Sequence, residues 1–186
     1  MFGAVRKRIM YISVQIPYQP NRKIAVAYNR ALKTSVSDWV LFLDHDVFLC
    51  NPYWYEMCAK AIESVGNDPK AALITCFAGG ERMKRTLKES GEPMDSITSH
   101  IALAEHYYKK HGNEVERIDE PVAGFFMLLN RKIAREIKFV QGDRSINNVD
   151  KMFCKKLLDK GYHIYRMSGL YIYHRRGMKH LKWKQK

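Results

Sequence analysis

The stretch DWVLFLDHDVFL, residues 38–49, leads a short apolar run directly into Asp44, His45 and Asp46. A continuous run of Val, Leu and Phe is typical of a central strand that is covered on both faces. Two carboxylates at the end of such a strand are costly to desolvate, so we expect a compensating charge beside them. A divalent cation is one candidate, and a solvated polar turn is the alternative.

Two segments before this strand complete a β-α-β unit. Residues 8–16, RIMYISVQI, alternate with period two and stop at Pro17, which predicts a strand followed by a loop. Residues 23–35 place apolar side chains on one face at helical spacing. Because the two strands of such a unit are parallel, Pro17 and Asp44 are expected at one carboxyl edge, where open α/β sheets bind their ligands.

The rest of the chain continues to alternate between helices and strands. We predict helices over 52–66, 101–112 and 149–161, strands over 71–78 and 162–174, two strands within 115–130, and a short helix or turn at 131–137. The polar residues 79–100 indicate a long functional loop or lid. This order predicts an α/β fold with a mostly parallel central sheet, flanking helices and an antiparallel edge.

Length and composition favour one globular domain. The chain has 186 residues, and no linker, repeat or low-complexity block divides residues 1–186. Its 46% hydrophobic and 12% aromatic residues are too many for a disordered chain. The sequence contains neither a run of roughly 18–20 apolar residues that could span a bilayer nor a signal-peptide pattern, so we expect a cytoplasmic protein. Its four scattered cysteines are expected to be free thiols.

Basic residues outnumber acidic ones by 32 to 19, which gives a formal net charge of +13. Such an excess indicates a polyanionic partner, a phosphorylated substrate or an anionic membrane surface. Part of it lies in the tail at about 175–186, RRGMKHLKWKQK, which has no acidic residue. We expect this tail either to be a solvated end or to contact an anionic membrane or a phosphorylated acceptor, at the membrane periphery.

Five motifs follow one another in a familiar order: IPY (16–18), AVAYNRAL (25–32), DWVLFLDHDVFL (38–49), AGFFMLLNR (123–131) and NNVDKMFCKKLLDKGYHIYRMSGLYIYH (147–174). Together they resemble glycosyltransferase family 2, the nucleotide-sugar glycosyltransferases of the GT-A fold. The resemblance runs from about residue 9 to residue 174. It implies a compact variant, because the family's further strand with an acidic pair, before the Asn-bearing helix, has no counterpart here.

The resemblance gives the Asp-His-Asp turn a role. It implies that Asp44 and Asp46 hold Mn²⁺ or Mg²⁺ against the diphosphate of the donor, with Asp46 as the direct ligand and Asp44 nearer the ribose or the water shell of the metal. A hard cation prefers oxygen ligands and neutralises a leaving diphosphate. His174, at the end of the last strand, is implied as a third metal ligand, and a hydrogen-bonded structural histidine is the alternative.

The donor would lie at the end of the first strand. The resemblance implies that Pro17, Tyr18 and Gln19 face the nucleobase and ribose, and that Arg175 and Arg176 clamp phosphate oxygens. Asn29 matches the recurrent Asn of the family, although Tyr28 and Asn29 are equally compatible with helix residues that face the core and solvent. The expected partner is a nucleoside diphosphate sugar, UDP- or GDP-linked, and no stable protein partner is implied. The donor-side residues are thus Pro17, Tyr18, Gln19, Asn29, Asp44 and Arg175.

The second carboxylate of the family is its general base, which begins a helix and precedes a glycine by eleven residues. Asp150 stands in that relation to Gly161, and the alternative is that it only favours the helix N-terminus electrostatically. Gly124 matches the small residue that lets the acceptor approach, or it serves packing. Glu81 and Arg82 follow two glycines at a strand end, where acceptor or donor contacts would be natural, and we assign them to the acceptor side.

The resemblance therefore implies a metal-dependent glycosyltransferase that moves a sugar to an acceptor hydroxyl, with inversion if Asp150 is the base. Nucleotidyl transfer with the same Asp pair is the second hypothesis, and the missing Gly-rich phosphate loop counts against it. A basic nucleic-acid-binding module is the third. Apart from the tail, however, basic residues are spread among acidic ones along the predicted helices.

Overall fold

The computed structural model describes residues 11–20, 23–79, 96–141 and 148–175. Its strands are β1 (Ile12–Gln15), β2 (Trp39–Leu43), β3 (Val47–Phe48), β4 (Ala71–Ala78), β5 (Val115–Ile118), β6 (Phe126–Asn130) and β7 (His163–His174). Its helices are α1 (Ile24–Thr34), α2 (Trp54–Ser64), α3 (Ile97–His111), α4 (Arg131–Ile137) and α5 (Val149–Asp159). Glu81, Arg82 and the tail beyond Arg175 lie outside the described residues, and the single-domain organisation stays a prediction.

Within the described ranges the strands form one mixed sheet in the order β1-β2-β6-β4-β7. Strands β1, β2, β4 and β7 run in one direction, while β3 and β5 pair antiparallel with β7. This confirms the α/β fold with a mostly parallel central sheet. An antiparallel strand, β6, also lies inside the sheet, because the chain enters it from the edge at which β2 ends and pairs Phe126 with Leu43.

The alternating faces of β2 build two cores. Val40 and Phe42 point into the core under α1, α4 and α5, whereas Leu41 and Leu43 point into the core under α2. Because the side chains of a strand alternate between faces, an uninterrupted apolar run fits a strand that is buried on both sides. Burying a side chain of this size contributes roughly 1.5–3 kcal/mol.

Most predicted elements are present, but α3 begins earlier than expected. The polar stretch was predicted to continue through residue 100, and instead α3 begins at Ile97, where the Ser96 hydroxyl accepts a hydrogen bond from the Ser99 amide. His100 in the first turn is buried, with Nδ1 2.8 Å from the Tyr171 hydroxyl. A polar first turn becomes helical here because the rest of the protein supplies its partners.

The direction of the strands gathers several loops at one edge of the sheet. Strands β1, β2, β4 and β7 all end there, and β6 begins there. We call this the carboxyl edge. It brings Asp44, Gly124 and His174 to the same side of the sheet as the residues that follow β1. In the described parts of the chain, no helix combines the length and hydrophobicity needed to cross a membrane.

Candidate metal centre and catalytic edge

The acidic turn is held in place by backbone hydrogen bonds. The Asp44 amide donates to the Phe125 carbonyl at 3.1 Å, which ties the end of β2 to the start of β6. The Val47 amide donates to the Asp44 carbonyl at 3.3 Å and closes the turn. Strand β3 then pairs Val47 with His174. The two-residue strand β3 thus places the acidic turn next to the end of β7.

This pairing places one imidazole between two carboxylates. His174 Nε2 lies 3.1 Å from Asp46 Oδ1 and 3.5 Å from Asp44 Oδ2. One ligand-capable atom from each of the three residues lies within 4.8 Å of the others. The side chains of His174 and Asp46 are 15% and 18% exposed, and that of Asp44 is 40% exposed. The cluster is therefore partly desolvated and open on the Asp44 side.

Burial and neighbouring negative charges make the ionised form of Asp44 unfavourable. Burial raises the pKa of the Asp44 carboxyl, His174 opposes that rise, and the negative charges of Asp46 and Asp150 add to it. A bound cation would remove the cost of holding these acids together. Two carboxylates and one imidazole fit Mn²⁺ well, and the two carboxylates suit Mg²⁺. The donor set thus fits the divalent metal that the family resemblance implies.

Asp150 lies in the first turn of α5 and is fixed from two sides. Its Oδ2 accepts a hydrogen bond from the Gly124 amide at 2.6 Å, and its Oδ1 accepts one from the Lys151 amide at 2.9 Å. The charge of Asp150 acts on the pKa of Asp44. The carboxylate therefore belongs to the same electrostatic neighbourhood as the Asp44–Asp46–His174 cluster.

Gly124 leaves no room for a larger side chain. A Cβ atom at this position would lie 3.1 Å from the Asp150 Cβ and 3.2 Å from its Oδ2. Those distances are closer than ordinary van der Waals contact, so glycine lets the backbone amide approach the carboxylate. Of the two roles considered for Gly124, the observed contact is packing against Asp150, and an acceptor contact stays a prediction.

Two aromatic residues beside the cluster were not among the predicted site residues. The Phe125 ring packs against His174 at 5.5 Å between centroids. Tyr28 is buried against Phe42 in the core, and burial, together with the charges of Asp44 and Asp150, raises the pKa of its hydroxyl. Both residues lie within the quoted motifs, Phe125 in the fourth and Tyr28 in the second, and the core-facing alternative given for Tyr28 is the observed one.

Asn29 makes a structural contact. Its Nδ2 donates to the Phe139 carbonyl at 2.8 Å, and its Oδ1 accepts from the Phe139 amide at 3.0 Å. These two bonds join α1 to the segment after α4. Its predicted contact with the donor stays a prediction, and any such contact would have to compete with this pair of hydrogen bonds.

The other donor-side residues lie at the carboxyl edge but are not part of the Asp44–Asp46–His174 cluster. Pro17 and Gln19 are half-buried and Tyr18 is 77% exposed after the end of β1. Arg175 is exposed, and its backbone amide donates to the Asp46 carbonyl at 3.0 Å. Their contacts with a nucleotide stay predictions, as do the acceptor-side roles of Glu81 and Arg82.

The comparisons with known proteins bear on this edge. The family model described as "Glycosyl transferase family 2" matches residues 4–138. The search of curated proteins gave no match. The matched range contains Asp44, Asp46 and Gly124 and ends before Asp150 and His174. Since this range covers more than half of the 186 residues, the chain belongs to glycosyl transferase family 2 and is a glycosyltransferase with the GT-A α/β fold.

Proposed function

We propose that the protein transfers a sugar from a nucleoside diphosphate sugar to an acceptor hydroxyl, depends on Mn²⁺ or Mg²⁺, and inverts the anomeric centre. The observation that carries this proposal is the convergence of Asp44, Asp46 and His174 beside Asp150 at the carboxyl edge. Membership of a sugar-transferring family favours this reaction over nucleotidyl transfer and over simple nucleic-acid binding.

Asp44, Asp46 and His174 would hold the metal. When bound, the cation supplies positive charge beside the diphosphate, which makes the nucleoside diphosphate a better leaving group. His174 Nε2 faces both carboxylates. Because side chains bind metals in their deprotonated forms, a neutral imidazole and two carboxylates would hold the cation. The exposed side of Asp44 is the open side of this ligand set.

Asp150 would act as the general base. Its carboxylate accepts the proton of the acceptor hydroxyl while that oxygen attacks the anomeric carbon and the bond to the diphosphate breaks. Both carboxylate oxygens already accept one backbone amide, and each keeps a second lone pair for the acceptor. A single displacement of this kind inverts the anomeric configuration.

The proposed donor is a nucleoside diphosphate sugar bound near the end of β1. UDP- and GDP-sugars are the first candidates, with Pro17, Tyr18 and Gln19 near the nucleobase and Arg175 near the phosphates. The contact of the basic tail with an anionic membrane or a phosphorylated acceptor is part of the same proposal, as is a cytoplasmic location.

Calorimetric titration with UDP, GDP, CDP and ADP tests the donor site. We expect one diphosphate to bind in the presence of Mn²⁺ and to lose at least tenfold in affinity without the metal or in Asp46→Ala, because the ligand set is then incomplete. Asp119→Asn, an exposed carboxylate on another part of the surface, is the matched control and should bind normally. Failure of a folded wild-type protein to bind any diphosphate would contradict the donor-site proposal.

Asp150→Asn tests the base separately. This variant should bind the same diphosphate as wild type, because Asp150 is not among the proposed metal ligands, while turnover of the donor sugar should fall roughly 10²–10⁴-fold. Release of nucleoside diphosphate from UDP- and GDP-sugars measures that turnover. Normal turnover in Asp150→Asn would exclude Asp150 as the base and leave the metal centre untouched.

A further inference from the structure

The two helical layers of the protein differ strongly in charge. Helices α1, α4 and α5, with the capping residues that follow the last two, pack on one core and carry ten basic and three acidic residues. The basic ones are Arg30, Lys33, Arg131, Lys132, Arg135, Lys138, Lys151, Lys155, Lys156 and Lys160, and the acidic ones are Glu136, Asp150 and Asp159. Helices α2 and α3 carry three of each sign, namely Lys60, Lys109, Lys110, Glu56, Glu63 and Glu105.

The expectation that basic residues are spread among acidic ones along the helices holds for α2 and α3, whereas in α1, α4 and α5 the basic residues outnumber the acidic ones by ten to three. Of the ten basic residues, all except Arg131 and Lys156 are exposed. We call the outer surface of α1, α4 and α5 the basic helix layer. The residues were distant in sequence, and the packing of α4 against both α1 and α5 puts them on one surface.

Three exposed aliphatic side chains lie within this layer or directly beside it. Val26 and Val140 are each 42% exposed, and Met152 is 37% exposed. They border one junction, because the buried Phe139 packs on Tyr28 of α1 at 4.7 Å and on Phe153 of α5 at 3.9 Å between ring centroids. In the chain, Val140 directly follows Phe139 and Met152 directly precedes Phe153. Val26 lies at the start of α1.

We propose that the basic helix layer binds the surface of an anionic lipid bilayer. Lysine and arginine are attracted to anionic headgroups, and aliphatic side chains beside them can enter the headgroup region. A single-stranded nucleic acid would instead favour exposed aromatic side chains as stacking platforms, and the exposed apolar residues of this junction are aliphatic. The inference rests on charge and exposure and does not depend on the proposed reaction.

The first turn of α5 joins the basic helix layer to the carboxyl edge. Lys151 and Met152 follow Asp150 directly in the first turn of α5. A bilayer that contacts this end of the basic helix layer would therefore lie beside the carboxyl edge of the sheet.

Vesicle sedimentation of the full chain tests the proposal. We expect wild type to bind vesicles of equimolar phosphatidylcholine and phosphatidylglycerol, to bind phosphatidylcholine vesicles far more weakly, and to be released by salt. The triple variant Lys33→Gln, Lys132→Gln, Arg135→Gln should lose roughly 100-fold in partitioning, since each charge near the surface contributes about fivefold. The control variant Lys60→Gln, Lys109→Gln, Lys110→Gln removes the same charge from α2 and α3 and should change partitioning less than about threefold.

Further variants separate the other binding modes. Both triple variants are also made in a chain whose Lys179, Lys182, Lys184 and Lys186 are changed to Gln. The difference in partitioning between them should persist in this background, and its loss would assign binding to the tail and overturn the proposal. Met152→Gln should weaken vesicle binding without changing the melting temperature by more than a few degrees. Wild type that binds a single-stranded RNA but no anionic vesicle would overturn the lipid surface in favour of nucleic acid.

Discussion

At the scale of single residues, the carboxyl edge depends on close contacts that leave little freedom. The 2.6 Å hydrogen bond from the Gly124 amide to Asp150 exists because position 124 has no Cβ. His174 reaches Asp46 across 128 positions in the sequence. Each contact fixes a charged group whose orientation the proposed chemistry needs.

We predict that Gly124→Ala lowers turnover and spares nucleotide binding. The added methyl would displace the Asp150 carboxylate by several tenths of an ångström, which should reduce kcat roughly 10- to 100-fold. Kinetics of donor turnover and calorimetry with the nucleoside diphosphate measure the two effects. The control is Gly79→Ala, directly after β4, where the contact of the added Cβ within the described residues is with the Tyr171 hydroxyl at 3.3 Å and not with Asp150. Equal losses of kcat in both variants would contradict a specific role for Gly124.

At the scale of elements, β7 connects opposite ends of the sheet. Its last residue, His174, joins the acidic turn, while its first residues lie at the edge away from the site. There Asp68 Oδ2 accepts hydrogen bonds from His163 Nδ1 and the Tyr165 hydroxyl, both at 2.7 Å, and Asp68 Oδ1 accepts one from the Lys70 amide at 2.9 Å. These bonds hold the starts of β4 and β7 together.

The Asp68 contacts predict an acid-sensitive contribution to stability. Burial alone would raise the pKa of Asp68, but the hydrogen bonds from His163 and Tyr165 outweigh it and lower the pKa. A carboxyl whose pKa is lower in the folded state stabilises the fold above its unfolded pKa of about 3.9, and that contribution disappears as the pH falls through the folded value.

We therefore predict that Asp68→Asn lowers the free energy of unfolding by about 1–2 kcal/mol at neutral pH. The difference from wild type should shrink as the pH falls below about 4, because Asp68 is then protonated first in the unfolded chain and, at the lower folded pKa, in the native protein as well. Urea unfolding at a series of pH values measures this. The exposed Asp119→Asn serves as control and should be near neutral at every pH. A difference that stays constant across the series would show that the charge of Asp68 does not matter.

At the scale of the whole molecule, the parallel strands collect the site at one edge while the helices divide the charge between two layers. The carboxyl edge receives the acidic turn, Gly124, Asp150 and His174 from four separate stretches of the chain. The basic helix layer receives its residues from three helices. Both features depend on the same sheet order, since it decides which loops end together and which helices share a face.

We predict that Mn²⁺ stabilises the whole fold. A cation held by residues from the acidic turn after β2 and from the end of β7 binds the folded state alone, so at one hundred times its Kd it should add about 2.7 kcal/mol. For a chain of this length that corresponds to an increase in Tm of roughly 5–10 °C. Thermal unfolding in EDTA and in Mn²⁺ measures the shift. Asp46→Ala should abolish it, and an equal shift in that variant would place the metal elsewhere.

The sequence by itself determined most of the elements and the acidic character of the turn that follows β2. The apolar run over residues 38–43 forms a strand buried on both faces because alternate side chains enter two different cores. Helix α5 begins at Val149, where it was predicted, and Asp150 lies in its first turn. Periodicity and local polarity are properties of neighbouring residues, so they can be read without knowing the fold.

Only the tertiary structure decided which distant groups meet. It placed His174 beside Asp46, set the Gly124 amide on the Asp150 carboxylate, and drew Asn29 to Phe139. It also gathered the basic residues of three helices on one surface and extended α3 back to Ile97. Such contacts follow from strand order and helix packing, which depend on interactions across the whole chain rather than on the local pattern of any one segment.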